Sequence, residues 1–148
     1  MKRKAVLIVN PSSGKEQARA YTEEAVKELQ KVYEEVKVKE TKGPGDATDF
    51  AKEASEEEVS LVVSMGGDGT VHEVVNGLSE NEVRPALGII PLGTVNDLAR
   101  ALGIPLQPEE AIEVLTKGKM WPIDIAKAGD RYFTSGFARE VSRKASIR

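Results

Sequence analysis

Short apolar runs alternate with segments of helical spacing along most of the chain. Three such runs lie at 5–9, 59–65 and 85–90. They have the continuous apolar pattern of strands buried on both faces, and the last is expected to stop at Pro91. A fourth segment alternates instead, with Val36 and Val38 on one face, and this predicts a strand covered on one side only.

Four segments between and after these runs have apolar residues at helical spacing. Their apolar positions are Ala18, Tyr21, Ala25 and Leu29; Ala47, Phe50, Ala51 and Ala54; Val71, Val74, Val75 and Leu78; and Ala111, Ile112, Val114 and Leu115. A shorter helix is predicted at 96–102. In the third segment, Thr70 and Glu73 have the spacing of a capping box, which predicts Thr70 as the N-cap of that helix.

The alternation of strands and helices predicts an α/β fold: a three-layer, Rossmann-like domain with a mostly parallel sheet and helices on both faces. Near the end of the chain, a strand, a turn at Gly129 and Asp130, and a second strand are expected. Ligands of such sheets bind outside the carboxyl ends of the strands. Loops rich in Gly, Pro, Ser, Thr and Asp lie at those ends, at 10–14, 40–46, 65–70 and 90–97. A ligand site is therefore predicted where these loops meet.

Composition limits the classes of function. The 148 residues suffice for one domain with a real core, and a formal net charge of -3, from 21 basic and 24 acidic side chains, argues against a nucleic-acid partner. The absence of cysteine excludes disulfides and thiolate metal sites and fits a cytoplasmic location. No apolar stretch approaches the length needed to span a membrane.

The glycine-rich segment at 66–70 carries the clearest chemical signal. Gly66, Gly67 and Gly69 allow positive φ angles and the close approach of a ligand to backbone amides. The helix that follows directs free N–H groups at an anion such as phosphate. Asp68 would repel a bare phosphate, so it suits a bound cation such as Mg²⁺ or proton transfer from an attacking hydroxyl.

Asp97, in another loop at a strand end, could join the same network. The alternative is a tight turn in which Asp68 only caps backbone amides, because Gly and Asp are common turn residues. The residues alone leave both interpretations open.

Two well-known phosphate motifs are absent from the sequence. No GxxxxGK[ST] segment is present, which excludes a Walker-type loop. GxGxxG also fails, since His72 stands where its last glycine belongs. Hydride-transfer enzymes that use this second motif are therefore disfavoured.

Three motifs, taken together, resemble a known family. NPSSGK at 10–15, GGDGTVHEVVNG at 66–77 and PLGTVNDLARALGIP at 91–105 are similar in order and spacing to the diacylglycerol kinase catalytic-domain family, which includes bacterial diacylglycerol kinases and sphingosine kinases. GGDGT alone is less specific, because NAD kinases and 6-phosphofructokinases carry similar loops on a related fold. The resemblance covers residues 3–133.

This resemblance implies a domain that binds ATP and Mg²⁺ and a protein that phosphorylates a lipid hydroxyl at a membrane surface. The residues implied to border the nucleotide are Asn10, Pro11, Ser12, Ser13, Gly14, Thr41, Gly66, Gly67, Asp68, Gly69, Thr70 and Thr94. Asp68 is also implied to be catalytic. Asp68 and Asp97 are implied to reach magnesium through water.

Members of that family are longer, because a second, β-rich domain supplies the catalytic base and much of the lipid cleft. We therefore interpret residues 1–133 as a nucleotide-binding domain and 134–148 as a shortened junction to a β-rich domain that this chain lacks. On this interpretation the chain alone is expected to be inactive.

Three questions stay open at this point. The chain could be a nucleotide-binding module without catalysis, or it could resemble NAD kinases and act on a soluble substrate. Exposed sheet edges also leave self-association as a homodimer open.

Overall fold

The computed structural model describes residues 3–79 and 84–118, together with the backbone of two short strands. The main strands are β1 (Lys4–Val9), β2 (Glu35–Glu40), β3 (Leu61–Gly66) and β4 (Ala86–Pro91). The helices are α1 (Lys15–Leu29), α2 (Asp46–Glu56), α3 (Asp68–Ser79), α4 (Asp97–Leu102) and α5 (Pro108–Lys117). A 3-10 turn at Pro11–Ser13 precedes α1, and β5 (Ala126–Ala128) pairs antiparallel with β6 (Arg131–Phe133). The expected turn at Gly129 and Asp130 and the segment 134–148 lie outside the described residues.

The four main strands form one sheet in the order β2-β1-β3-β4, and all of their pairings are parallel. From β1 the chain moves outward to β2, and from β3 it moves outward in the opposite direction to β4. The strand order therefore reverses between β1 and β3. In parallel sheets of this kind, that reversal opens a crevice at the carboxyl ends of the two central strands.

Helices cover both faces of the sheet, as predicted. On one face, α1 and α5 pack on alternate strand residues, among them Leu7, Val63 and Ile90. On the other face, α2 and α3 pack on the intervening residues, including Ile8 and Val62. β1 and β3 are almost wholly buried because both of their faces are covered, which is why they are continuous apolar runs.

The strands at the two ends of this sheet differ from the prediction in detail. In β2, Val36 packs against the core, whereas Val38 is 44% exposed. β4 continues through Pro91, which pairs with Gly66. Among the described residues β4 is the last strand of this sheet, so Pro91 displaces no ladder donor to a further strand there.

Helices α1 and α5 are joined by a buried carboxylate. Glu28 on α1 accepts hydrogen bonds from the Thr116 hydroxyl on α5 and from Lys31 Nζ, the latter at 2.9 Å. The Thr116 hydroxyl, and then the ammonium group of Lys31, lower the pKa of Glu28 below its usual value. Nearby, a hydrogen bond to the Glu109 carboxylate raises the pKa of Tyr21.

Helix α3 begins earlier than the capping-box spacing predicts. The N–H of Val71 donates to the carbonyl of Gly67 at 3.2 Å, so the helix starts at Asp68, and Thr70 lies within it. The prediction of Thr70 as N-cap is therefore wrong. The Thr70 hydroxyl and the Glu73 carboxylate are instead engaged by other loops, as described below.

Within the described part of the chain, no helix combines the length and apolar character needed to cross a membrane.

Candidate functional site

Hydrogen bonds link the chain segments that follow β1 and β3, at the place where the strand order predicts a crevice. Asn10, directly after β1, donates from Nδ2 to Thr70 Oγ1 on α3 at 3.0 Å, and its N–H donates to the Met65 carbonyl at 2.9 Å. Gly66 makes this approach possible, because a Cβ there would lie 2.7 Å from Thr70 Oγ1 and 3.3 Å from the Asn10 Cβ. The glycine at 66 is thus required by the packing of the site itself.

The loop at 10–14, the β1 loop, turns tightly into α1. The Asn10 side chain caps the 3-10 turn by accepting the Ser12 N–H at 3.0 Å, and Pro11 begins that turn. The Gly14 N–H then donates to the Pro11 carbonyl at 3.1 Å, and the φ of Gly14 is 153°. Ser12 and Gly14 are exposed at the start of α1, and Ser13 is described only in its backbone.

The β4 loop (92–96) packs against the start of α3. A Cβ on Gly93 would lie 2.9 Å from the Cα of Gly67, so these two backbones meet without side chains between them. Asp68 Oδ1 accepts the N–H of Asp97, the first residue of α4, at 2.8 Å. One oxygen of the Asp68 carboxylate therefore caps a backbone amide, which was the alternative that the sequence left open.

Asn96 is a residue of this loop that the sequence analysis did not single out. It has left-handed backbone angles, with φ 54° and ψ 52°, and its buried side chain donates from Nδ2 to the Gly93 carbonyl at 2.8 Å. Asparagine is one of the few residues besides glycine that adopts this conformation, and such positions concentrate at functional sites. The signal in the sequence was an asparagine at the first position of a predicted helix, directly after a loop that contains glycine. The helix itself begins one residue later than predicted, at Asp97.

The β2 loop (41–45) lies on the other side of β1. The Thr41 N–H donates to the Val9 carbonyl at 2.8 Å, which places the buried Thr41 beside the end of β1, next to Asn10. Thr94 and Gly69 are exposed, Thr94 in the β4 loop and Gly69 in the first turn of α3. Apart from its two chain neighbours and the nearby backbone of its own helix, a Cβ on Gly69 would meet no atom within 4 Å among the described residues. The predicted residues thus come from four neighbouring strand ends, and hydrogen bonds and backbone contacts link their loops.

The acidic residues predicted for the site are Asp68, which is half-buried, and Asp97, which is exposed. No cluster of three or more His, Cys, Asp or Glu side chains that could hold a metal occurs among the described residues. The Asp97 N–H, and not its carboxylate, is the group shown in contact with Asp68. Mg²⁺ in proteins is commonly bound through one or two carboxylates together with water and substrate phosphates, so a pair of aspartates is chemically suited to this ion.

The model of the diacylglycerol kinase catalytic domain matches residues 4–128. The chain belongs to the diacylglycerol kinase catalytic domain family. It is 44% identical over 133 residues to a diacylglycerol kinase of Staphylococcus epidermidis, covering 90% of this chain and 42% of that protein. It is 39% identical over 150 residues to a diacylglycerol kinase of Staphylococcus carnosus, covering 99% and 49% respectively.

A crystal structure of a diacylglycerol kinase from Bacillus anthracis resembles the fold with a TM-score of 0.81 and 40% identity, over 89% of this chain and 46% of that one. This chain therefore spans less than half the length of each of these three relatives. The resemblance stated from its three motifs and the predicted α/β fold are both confirmed.

Proposed function

We propose that this chain is the ATP-binding part of an ATP- and Mg²⁺-dependent lipid kinase that phosphorylates a hydroxyl of a diacylglycerol-type lipid. The observation that carries the proposal is the linkage of the motif-bearing strand ends around the β1–β3 crevice, in a member of the diacylglycerol kinase catalytic domain family. Phosphoryl transfer depends mainly on positioning and charge neutralisation, which is what linked loops with backbone donors provide.

In this proposal the nucleotide phosphates lie against the start of α3. The first N–H groups of a helix have no partner within the helix and attract anions, and the open space beside Gly69 admits a ligand to them. Asn10 and Thr41 border the nucleotide from the ends of β1 and β2, and Thr94 faces it from the β4 loop. Pro11, Ser12, Ser13 and Gly14 form the β1 loop that completes this wall.

Asp68 has two tasks in this proposal. Through Oδ1 it holds the N–H of Asp97 and so fixes the β4 loop against the start of α3. Through its other oxygen, with Asp97, it would hold magnesium by way of water. When bound, Mg²⁺ would neutralise charge on the transferred phosphate.

The acceptor lipid is assigned by family membership and not by a cleft in this chain. Because the chain matches less than half of the two staphylococcal relatives, we propose that lipid binding and the catalytic base belong to parts of the protein beyond it. We expect the 148-residue chain to bind nucleotide but to transfer little phosphate by itself. The whole enzyme would work in the cytoplasm and meet its lipid at a membrane surface.

One observation favours a second candidate, a nucleotide-binding module without catalysis. Asp68 already has a backbone partner in the Asp97 N–H, which gives its carboxylate a structural purpose even without a metal. The two candidates agree on nucleotide binding and differ only in phosphate transfer.

The test has two parts. Calorimetry with Mg-ATP on the 148-residue chain is expected to detect binding that needs magnesium. Labelled ATP with the whole protein and a panel of diacylglycerol, a sphingoid base, phosphatidylglycerol and NAD is expected to label diacylglycerol. Nucleotide binding with no labelled product would favour the module, labelled NAD would favour a soluble-substrate kinase, and no nucleotide binding would refute both the kinase and the module.

A further inference from the structure

We propose that Glu73 is a positioning residue that fixes the β2 loop, and with it Thr41, onto helix α3. The inference rests on the proposed function, because Thr41 matters for activity only if a nucleotide lies beside it. Glu73 acts through the backbone of Gly45 and is not itself a catalytic residue.

The Glu73 contacts join three elements. Its Oε1 accepts the N–H of Gly45, the last residue of the β2 loop, at 3.0 Å. Its backbone carbonyl accepts the Thr48 hydroxyl, in the first turn of α2, at 2.9 Å. A single residue of α3 thus holds both the end of the loop and the beginning of the helix that follows it.

The other hydrogen bonds shown for the β2 loop among the described residues connect it to β1 and to the start of α2. Thr41 is held by the Val9 carbonyl at 2.8 Å, and Asp46 Oδ2 accepts the N–H groups of Lys42 and Gly43 at 2.8 and 3.1 Å. These bonds order the loop relative to β1 and α2. The Glu73 carboxylate adds the connection to α3, whose first turn is the proposed phosphate site.

The loop needs such a connection because of its composition. It has the sequence TKGPG, and Gly45 has a φ of 89°, a conformation that glycine reaches readily but loses entropy to hold. A loop that is loose before binding must be ordered when the ligand binds, and that cost lowers affinity. Glu73 therefore preorganises the wall of the nucleotide site on the Thr41 side.

The sharpest test compares three substitutions of Glu73 with a matched control. Glu73→Ala removes the acceptor, Glu73→Asp keeps the charge but shortens the reach, and Glu73→Gln keeps an Oε1 acceptor without charge. Glu53→Ala removes an exposed glutamate from α2. Mg-ATP affinity of the 148-residue chain is measured by calorimetry, and exchange of the amides at 41–46 by hydrogen–deuterium exchange.

Glu73→Ala and Glu73→Asp are expected to weaken Mg-ATP binding about fivefold, since one hydrogen bond to a charged group is lost. Glu73→Gln is expected to stay within about threefold of wild type, because a neutral acceptor is weaker but still present. The control should bind as wild type does. Hydrogen–deuterium exchange of the amides at 41–46 should be faster in the alanine variant than in wild type. In the glutamine variant it should return to the wild-type rate.

Three results would overturn the inference: wild-type affinity in the alanine and aspartate variants, equal weakening by alanine and glutamine, or unchanged exchange at 41–46 in the alanine variant. If the wild-type chain binds no Mg-ATP, the proposed function fails separately. The exchange experiment then decides the role of Glu73, because it reports the hold on the loop without any nucleotide.

Discussion

Asn10 and Thr70 meet across the point where the strand order reverses, with Asn10 Nδ2 donating to Thr70 Oγ1 at 3.0 Å. The two residues are 60 positions apart in the chain, and Thr70 is buried. Their bond therefore links the β1 loop to the first turn of α3. Because α3 begins at Asp68, Thr70 lies inside the helix, and its hydroxyl serves this link and not a helix cap.

A double-mutant cycle measures this link. Asn10→Ala removes the donor, and Thr70→Val removes the acceptor while keeping the shape of the side chain. We expect each single change to lower the free energy of unfolding by about 1–2 kcal/mol, with a coupling of about 1 kcal/mol between them. Urea unfolding of the four proteins checks this, and strictly additive losses would mean that the bond contributes nothing to stability.

The contact between α1 and α5 predicts a pH dependence of stability. Hydrogen bonds from the Thr116 hydroxyl and then Lys31 lower the pKa of Glu28 in the folded protein below its ordinary value of 4.5. A carboxyl group with a lowered folded pKa stabilises the protein above its unfolded pKa. That contribution is lost as the pH falls from about 4.5 through the lowered folded value.

Glu28→Gln is therefore expected to reduce the unfolding free energy at neutral pH. The unfolding free energy of this variant should also fall less than that of wild type on acidification, since Gln does not titrate. Glu113→Gln is the matched control, because the ion pair of Glu113 with Lys117 on the same helix is exposed. Chemical unfolding at neutral pH and well below pH 4.5 checks the prediction. The prediction would be contradicted if the unfolding free energies of wild type and Glu28→Gln fell by the same amount on acidification.

Much of the fold was predictable because burial leaves a simple pattern. The continuous apolar runs of β1 and β3 reflect two covered faces, and the spacing of Ala18, Ala25 and Leu29 reflects one covered stripe of α1. Val38 shows the limit of this reasoning. Alternation indicates which residues share a face, but not whether a helix reaches far enough to cover the last of them.

The site was predictable in its loops and less so in its contacts. Parallel strands bring their carboxyl ends to one edge, so the meeting of the motif-bearing loops followed from the predicted parallel arrangement of the strands. The partners of Thr70 and Glu73 did not follow, because a capping-box spacing is local whereas Asn10 and Gly45 reach these side chains through the fold. Asn96 was missed because its left-handed backbone is set by packing of the β4 loop against α3.

Substitutions of Asp68 separate its backbone cap from its proposed magnesium role. Asp68→Asn keeps an Oδ1 acceptor for the Asp97 N–H, whereas Asp68→Ala removes it. We expect the alanine variant to lose about 1 kcal/mol of unfolding free energy, as for other lost helix caps, and the asparagine variant to lose little.

Both Asp68 variants should lose the magnesium-dependent part of ATP binding, which calorimetry with and without Mg²⁺ measures. If Asp68→Asn binds Mg-ATP as wild type does, the carboxylate serves only as a cap. In that case the proposed metal role would be wrong.

Gly66 and Gly69 lie three residues apart and are expected to respond to alanine in opposite ways. At Gly66 a Cβ would lie 2.7 Å from Thr70 Oγ1, so Gly66→Ala should force the β1–β3 crevice apart and lower stability by about 1–3 kcal/mol, as overpacking does. At Gly69, which lies in the first turn of α3, a Cβ would meet no atom within 4 Å among the described residues beyond its chain neighbours and the nearby backbone of its own helix. Gly69→Ala should therefore leave stability unchanged or raise it by up to about 1 kcal/mol.

If phosphates lie beside Gly69, the same methyl group would occupy their space, and Gly69→Ala should bind Mg-ATP at least about tenfold more weakly, a loss of about 1.4 kcal/mol. Thermal unfolding and calorimetry on the two variants separate fold from site. A Gly69→Ala protein that is stable and keeps wild-type affinity would place the phosphates elsewhere. The expected result is a destabilised Gly66→Ala protein and a stable Gly69→Ala protein that has lost affinity for Mg-ATP. It would mean that Gly66 serves the packing and Gly69 serves the ligand.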